Sequence, residues 1–314
     1  MASKSSATKN SSIKKQKGTV GVVGLGIMGG AFAQNLKGAG FRVIGYDTDP
    51  ARRRALARAG VEIARDAAAV AREAGTIILS LPKPSALAAT AAAIAKAEVP
   101  HRVVVESSTF AIEDKASAEA VLRAAGHVLL DCPVSGTGAQ ARIKDLVVYA
   151  SGGPSEIKRL RPVFAAFTRA VHDVGAFGNG SRMKYVANLL VAIHNVASAE
   201  AMVLGMKAGL EPQLIYDLVN AGVGTSRVFA LRGPMMVKDD YRHPTMKIAV
   251  WQKDMDVIGS YARKIRVPTP MFDASAGIYE KALHAGHGAE DTASVCAVLE
   301  RMAGVKRAKS RKRR

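Results

Sequence analysis

Three observations predict an α/β half joined to an all-helical half by one long helix. From Thr19 to Ser151 short, wholly apolar runs alternate with alanine-rich stretches, Gly178 to Leu210 runs without a proline, and Glu211 to Gly304 carries apolar residues at helical spacing. Runs apolar on both sides suit strands of a parallel sheet covered by helices on both faces. The runs are Thr19–Gly26, Phe41–Asp47, Thr76–Pro82, Arg102–Thr109, His127–Pro133 and Asp145–Ser151. All six are expected in that one sheet.

At 314 residues the chain is long enough for two domains with a substantial core. The expected division is a basic tail over 1–17, the α/β domain over 18–177, the helical domain over 178–305 and a second basic tail over 306–314. No run of eighteen apolar residues and no signal-peptide core is evident, so a cytoplasmic, non-membrane protein is expected. Cys132 and Cys296 lack the spacing of a disulfide framework or a zinc site, and no metal is expected. Most of the net charge of +19 lies in the tails, five lysines in residues 1–17 and seven basic residues in 306–314. Such segments read as solvated, disordered arms, with weak nucleic-acid contact as the other use of their charge.

The first apolar run ends in GLGIMG, which places Gly24, Gly26 and Gly29 in a G-x-G-x-x-G pattern opening a helix from about Met28 to Gly38. Gly24 allows the tight turn, Gly26 lets a pyrophosphate reach the backbone, and Gly29 lets the helix pack on the strand. Ile27 and Met28 line the same turn, whose free N–H groups favour an anion. This is the fingerprint of a Rossmann-type dinucleotide-binding domain. The second run ends at Asp47, where a carboxylate accepts the adenosine ribose hydroxyls and favours NAD over NADP; a turn or helix-cap acid is the plainer reading. Arg52, Arg53 and Arg54 follow, and a phosphate is within their chemistry. Either NAD or NADP is therefore expected, with NAD preferred.

Ligands of such sheets lie beyond the carboxyl ends of the strands. Leu81 and Pro82 end one run, and Ser107, Ser108 and Thr109 end another; Ser108 and Thr109 either meet a nicotinamide or cap the following helix. In DCPVSGTGAQA, Ser135, Gly136, Thr137 and Gly138 offer successive backbone N–H groups and one hydroxyl, a nest suited to a small carboxylate. The long helix then opens with Gly178 and Gly180, with Ser181 able to cap its first turn and Gly209 marking its end. Lys184 and Asn188, four residues apart, share one face at the seam between domains. A lysine there can move a proton, and an amide can hold a hydroxyl or carboxylate. Later in the chain comes the pair Lys253-Asp254, where Asp254 and Asp256 offer Lys253 surface ion pairs. His284, His287 and Glu290 lie in a glycine-rich loop and are not read as a metal site, and His194 and Trp251 read as packing residues.

Taken in order, GLGIMG with Asp47, Ser107–Thr109, DCPVSGTG, Gly178-x-Gly180-x-x-x-Lys184 with Asn188, and Lys253-Asp254 resemble the β-hydroxyacid dehydrogenase family over about Gly18 to Gly304. That family includes 3-hydroxyisobutyrate dehydrogenases, tartronate semialdehyde reductases and glyoxylate or succinic semialdehyde reductases. The resemblance implies a homodimer or homotetramer that interconverts a small 3-hydroxycarboxylate and its semialdehyde or keto acid with NAD(P). It implies Lys184 as catalytic acid/base, Ser135, Gly136, Thr137, Asn188 and Lys253 against the substrate, and Thr109 and Lys253 near the nicotinamide. Asp291, in a segment resembling the family's GxGxxDxS, is expected to cap a helix. Thr137, Gln140 and Lys144 stand where the family loop has glycines, so the loop is expected to follow a different path and substrate identity to transfer least. An NADPH-dependent semialdehyde or glyoxylate reductase is the alternative on the same scaffold. A non-catalytic dehydrogenase-like protein with nucleic-acid-binding tails is the alternative from another class.

Overall fold

A computed structural model describes residues 17–307. The first half runs β1 (Thr19–Val23), α1 (Ile27–Gly38), β2 (Arg42–Tyr46), α2 (Pro50–Arg58), β3 (Glu62–Ile63), α3 (Ala67–Glu73), β4 (Thr76–Leu79), α4 (Pro84–Ala95), β5 (Val103–Glu106), α5 (Ile112–Ala124) and β6 (Val128–Asp131). These six strands form a parallel sheet in the order β3-β2-β1-β4-β5-β6. Chain direction reverses across the sheet between β1 and β4, the crevice where doubly wound sheets bind ligands.

Alternate residues of each strand explain why both faces are covered. Val22, Val43, Ile78 and Leu130 enter one core with α1, whereas Val23, Ile44, Ile77 and Leu129 enter the other with α3, α4 and α5. With period-2 side chains, a strand apolar at every position must be buried on both sides.

Beyond β6 the chain leaves this sheet. β7 (Val134–Ser135), α6 (Gly138–Arg142), β8 (Val147–Ala150), α7 (Pro154–Phe164) and β9 (Ala170–Asp173) follow, with β7-β8-β9 forming a separate three-stranded sheet. The run at Asp145–Ser151 is thus not a sixth parallel strand, contrary to the sequence expectation. β8 pairs antiparallel to β7, and Ser151 bridges antiparallel to Asp131. β7 intervenes after β6, and the chain that returns through the short α6 pairs with it antiparallel. The two-residue β3 takes the sixth place instead.

α8 (Asn179–Lys207) spans the molecule. Gly209 stands just beyond its end with φ +89°, and Leu210 N–H reaches Gly205 O at 3.0 Å, the left-handed stop expected from sequence. The remaining helices are α9 (Pro212–Ala221), α10 (Arg227–Lys238), α11 (Ile248–Lys264), α12 (Pro270–His284) and α13 (Val295–Ala303), of which α10 to α13 pack around α8. One 18-residue window of α8 reaches a mean hydropathy of 1.6, a composition that can cross a membrane and that the sequence reading did not anticipate. Here the helix is the core of the bundle. Ala192, Val196, Ala199 and Met202 are buried in one cluster with Trp251, Tyr279 and Val295.

Arg307 belongs to this bundle rather than to a solvated arm, a correction to the expected tail boundary. Its guanidinium donates to Met236 O at 2.6 Å and Val237 O at 3.0 Å and pairs with Glu300. Open carbonyls at the end of α10 thereby find a cation. The other residues of the two expected tails, apart from Lys17 and Lys306, lie outside the described residues.

At the carboxyl ends of β5 and β6 lies a fully buried ion cluster. Lys115 Nζ stands 2.6 Å from Glu106 Oε2 and 2.7 Å from Asp131 Oδ1, and donates to Ser108 O at 2.7 Å. Burial alone would discharge this ammonium, but the two carboxylates outweigh it and push the lysine above its ordinary range. Replacing Lys115 by Met strands two buried carboxylates, with an expected loss of about 3–5 kcal/mol in denaturant unfolding. An unchanged unfolding midpoint would show that the cluster is not held as described.

Candidate active site

The cofactor cradle comes first. Gly24 has φ +89°, and a Cβ there would stand 2.1 Å from Ser80 O; a Cβ on Gly29 would stand 1.9 Å from Gly24 O. Neither position admits a side chain. Gly26 caps α1 without any side-chain hydrogen bond, which leaves the N–H groups of the first turn for an anion. The residues present therefore fit a dinucleotide. Ile27 is exposed, and Met28 packs on the first core.

Asp47 is buried behind this loop. Its carboxylate accepts Leu25 N–H at 2.7 Å and Asp49 N–H at 2.8 Å, so it performs the turn role and ties the glycine loop to β2. Asp49, not Asp47, caps α2. Arg52 Nη1 lies 3.4 Å from Asp47 and faces Gly26, while Arg53 donates to Asp47 O at 2.8 Å. Arginines and acid thus share the adenosine end of the cradle.

The strand ends across the crevice are committed differently. Ser107 Oγ donates to Leu79 O, and Ser108 Oγ accepts from Leu81 N–H. Neither serine caps α5, whose N-cap is Ala111 without a side-chain bond. Ser108 is therefore a strut between β4 and β5, while half-buried Leu81, exposed Pro82 and half-buried Thr109 edge the crevice.

Ser181 does not cap α8 as expected from sequence. Its N–H and hydroxyl both donate to Asp131, at 2.7 and 2.9 Å, and Ser151 Oγ accepts Gly180 N–H at 3.0 Å and donates to Asp131 O. A carboxylate 50 residues away in the chain closes the first turn instead. One and two turns on stand Lys184 and Asn188, both buried. α8 packs against β6, β7 and β8, so the helix that bears Lys184 lies against the strand that carries Ser135.

α11 supplies the opposite wall. Asn188 Nδ2 donates to Asp254 Oδ2 at 2.9 Å, and Asp254 Oδ1 pairs with Lys253 at 2.8 Å. Lys253 also donates to Thr109 O and lies 5.2 Å from the centre of the Phe110 ring. Asp254 is buried, not the surface partner that its sequence neighbourhood suggested. Sequence reasoning missed it as a site residue. The signal was available, since Asp254 and Lys253 sit together on a helix that must meet the Lys184 face. The start of α11 is fixed by buried Asp291, which accepts from Thr245 N–H and Oγ1 and from Met246 N–H, pairs with Arg232, and also caps the Thr292–Ser294 turn.

Burial, with Lys253 adding to it and Asp254 opposing it, brings Lys184 down to about 8. Among the described residues no side-chain hydrogen bond engages the Lys184 ammonium or the Ser135 hydroxyl. An amine with that affinity for protons takes and returns one near neutral pH.

The nest of successive N–H groups is not realised in full. Gly136 keeps its left-handed backbone at φ +130°, but Thr137 N–H donates to Gln140 Oε1 at 3.0 Å, and Thr137 and Gly138 begin α6. Gly138 instead packs so closely on Ile27 that a Cβ would come within 2.2 Å of it. The loop that carries Ser135 and Gly136 and the glycine turn before α1 therefore touch. Thr137 has φ −104°, which a β-branched residue adopts freely, and Lys144 takes the left-handed φ of +62° itself.

Sheet order, glycine cradle and a buried lysine of lowered proton affinity on the central helix define the class, an NAD(P)-dependent dehydrogenase. Residues 19–175 match the family model for the NAD-binding domain of 6-phosphogluconate dehydrogenase, and residues 178–299 match that for the NAD-binding region of NADP-dependent 3-hydroxyisobutyrate dehydrogenase. The chain is 32% identical to L-threonate dehydrogenase of Cupriavidus necator over 89% of its own length and 95% of that protein. The solved 3-hydroxyisobutyrate dehydrogenase of Salmonella typhimurium superposes with a TM-score of 0.81 at 30% identity, covering 89% of this chain and 99% of that one. The Mycobacterium tuberculosis 3-hydroxyisobutyrate dehydrogenase, solved with L-serine, gives the same TM-score at 28% identity over 90% and 98%. This chain belongs to the β-hydroxyacid dehydrogenase family and is an NAD(P)-dependent oxidoreductase of hydroxyacids.

The two charges beside Lys184 make opposite predictions. Asp254→Asn removes the group that raises the lysine, so the limb of hydroxyacid oxidation that rises with pH near 8 moves to lower pH. Lys253→Met removes a cation that lowers it, and the limb moves up. Profiles of kcat/KM against pH that stay in place in both variants would remove Lys184 as the titrating group.

Proposed function

We propose that this chain oxidises a small 3-hydroxycarboxylate with NAD⁺ in preference to NADP⁺, using Lys184 as the acid/base. The observation that carries the reading is the buried, depressed Lys184 beside the Asn188–Asp254–Lys253 array. L-threonate and 3-hydroxyisobutyrate, the acids in the relatives' names, both carry a hydroxyl on the third carbon. They are the first substrates to try.

Bound NAD(P) would supply the hydride acceptor, its pyrophosphate held by Gly24, Gly26 and Gly29 with Ile27 and Met28 at the turn, and its nicotinamide edged by Leu81, Pro82 and Thr109 at the neighbouring strand ends. Ser135 Oγ and Gly136 N–H anchor the substrate carboxylate. Lys184 takes the hydroxyl proton in oxidation and returns it in reduction, which needs an amine near its titration point rather than an ordinary lysine. Asn188, fixed by Asp254, orients the hydroxyl. Lys253 adds positive charge where the helical domain meets Thr109. Asp47 favours an unphosphorylated ribose because a second anion there meets a buried carboxylate. Arg52 at the same edge tempers that preference.

Nicotinamide absorbance with NAD⁺ and NADP⁺ against a panel of small hydroxyacids tests the reading. Lys184→Ala is expected to lower kcat by about 10²- to 10⁴-fold with cofactor affinity retained. Wild-type turnover that survives in Lys184→Ala would overturn the lysine mechanism. Asp47→Asn is expected to raise the NADP⁺ to NAD⁺ ratio of kcat/KM by about tenfold or less, and a falling ratio would assign cofactor choice to the arginines instead.

A further inference from the structure

The loop that bears the substrate-anchoring Ser135 and Gly136 is tied to the helical domain by side chains that no role above uses. Gln140 accepts Thr137 N–H through Oε1 and donates through Nε2 to Asp145 Oδ2 at 3.1 Å. The left-handed turn at Lys144 returns the chain so that Asp145 N–H meets Gln140 O at 2.9 Å. Asp145 then receives Arg169 Nε on Oδ1 at 2.9 Å and Arg227 Nη2, from the first residue of α10, on Oδ2 at 2.5 Å. Gln140 and the two arginines hold its carboxyl below the ordinary range.

An isolated exposed ion pair holds little. Here three side chains converge on one half-buried carboxylate, and the amide between them is bonded at both ends. An amide fixed by both its groups has one orientation, because reversing it would set its carbonyl against the Asp145 carboxylate. The orientation decides whether Thr137 N–H is spent inside the loop or left to the ligand.

We propose that Gln140, Asp145 and Arg227 form an interdomain latch that sets substrate specificity by fixing the shape of the carboxylate loop. Latched, the loop offers the substrate Ser135 Oγ and Gly136 N–H and withholds Thr137 N–H. Arg227 holds that state from the opposite domain, so closure of the crevice and the shape of the anion receptor are coupled. Gln140 and Arg227 are positioning residues, and the inference rests on the hydroxyacid reading above for what the loop binds.

The test combines Arg227→Ala, Gln140→Ala and the double variant of the full-length protein. Hydrogen exchange of the peptide over 134–146 reads the latch without any substrate. Faster exchange in both single variants, with no further gain in the double, is expected of members of one relay. In hydroxyacid kinetics both single variants are expected to raise the substrate KM by about three- to tenfold while kcat and cofactor affinity hold, with the double variant no worse than either. The rise is expected to differ among acids of different length, which a general loss of packing would not produce. Unchanged exchange in Arg227→Ala, or additive effects in the double variant, would overturn the latch. If wild type turns over none of the panel, the hydroxyacid reading fails and the exchange data alone still decide whether the latch exists.

Discussion

The start of the helix that carries Lys184 leans on one buried carboxylate. Asp131 ends β6, accepts Lys115 from α5, and receives both the N–H and the hydroxyl of Ser181 at the start of α8. Its backbone also pairs with Ser151 at the end of β8. A charge with no exposure survives only if every lone pair is answered, and here the answers come from three other elements. Satisfying Asp131 therefore fixes the helix that carries Lys184 relative to the sheet that holds the cofactor. Because Lys115 also bonds Ser108 O, and Ser108 Oγ holds Leu81 N–H, the same network sets the strand ends at the crevice. Stability and geometry come from one source.

Lys184, the proposed acid/base, sits in a balance rather than in an ion pair. Had Asp254 bonded Lys184 directly, the ammonium would be stabilised and useless as a base near neutral pH. Asp254 is instead spent on Asn188 and Lys253, and acts on Lys184 only through space. One carboxylate thus orients the amide, steadies the second lysine and limits how far burial lowers the first. Lys253 in turn links the helical domain to Thr109 and Phe110, while Tyr185, next to Lys184, donates to Phe110 O at 2.5 Å. The crevice is pinned on both sides of Lys184 and Asn188.

Legibility divided along a physical line. Asp47 was readable as an acid at a strand end, but not as the acceptor for Leu25 N–H, because that bond needs the glycine loop folded over it. Thr137 and Lys144, where glycines were expected, were readable as departures and their consequence was not. Thr137 occupies an extended backbone that needs no glycine, and Lys144 accepts the left-handed one. Local steric rules state what a residue prefers, whereas surrounding bonds decide what it adopts. Asp145–Ser151 showed the same limit. Its apolar pattern announced a strand correctly, yet the partner depended on β7, which intervenes after β6.

The sequence by itself determined the periodic and the contiguous features. Apolar runs gave the parallel sheet, the glycine spacing gave the dinucleotide turn, and a proline-free stretch gave α8 with Lys184 and Asn188 on one face, since each depends on residues within a few positions of one another. Only the tertiary structure decided what joins distant positions. It brought Asp131 to Ser181, Asp254 to Asn188, Lys253 to Thr109 and Arg227 to Asp145, pairs separated by 50, 66, 144 and 82 residues. Side chains that titrate or donate leave no periodic trace, and their partners are chosen by which elements the packed core sets side by side.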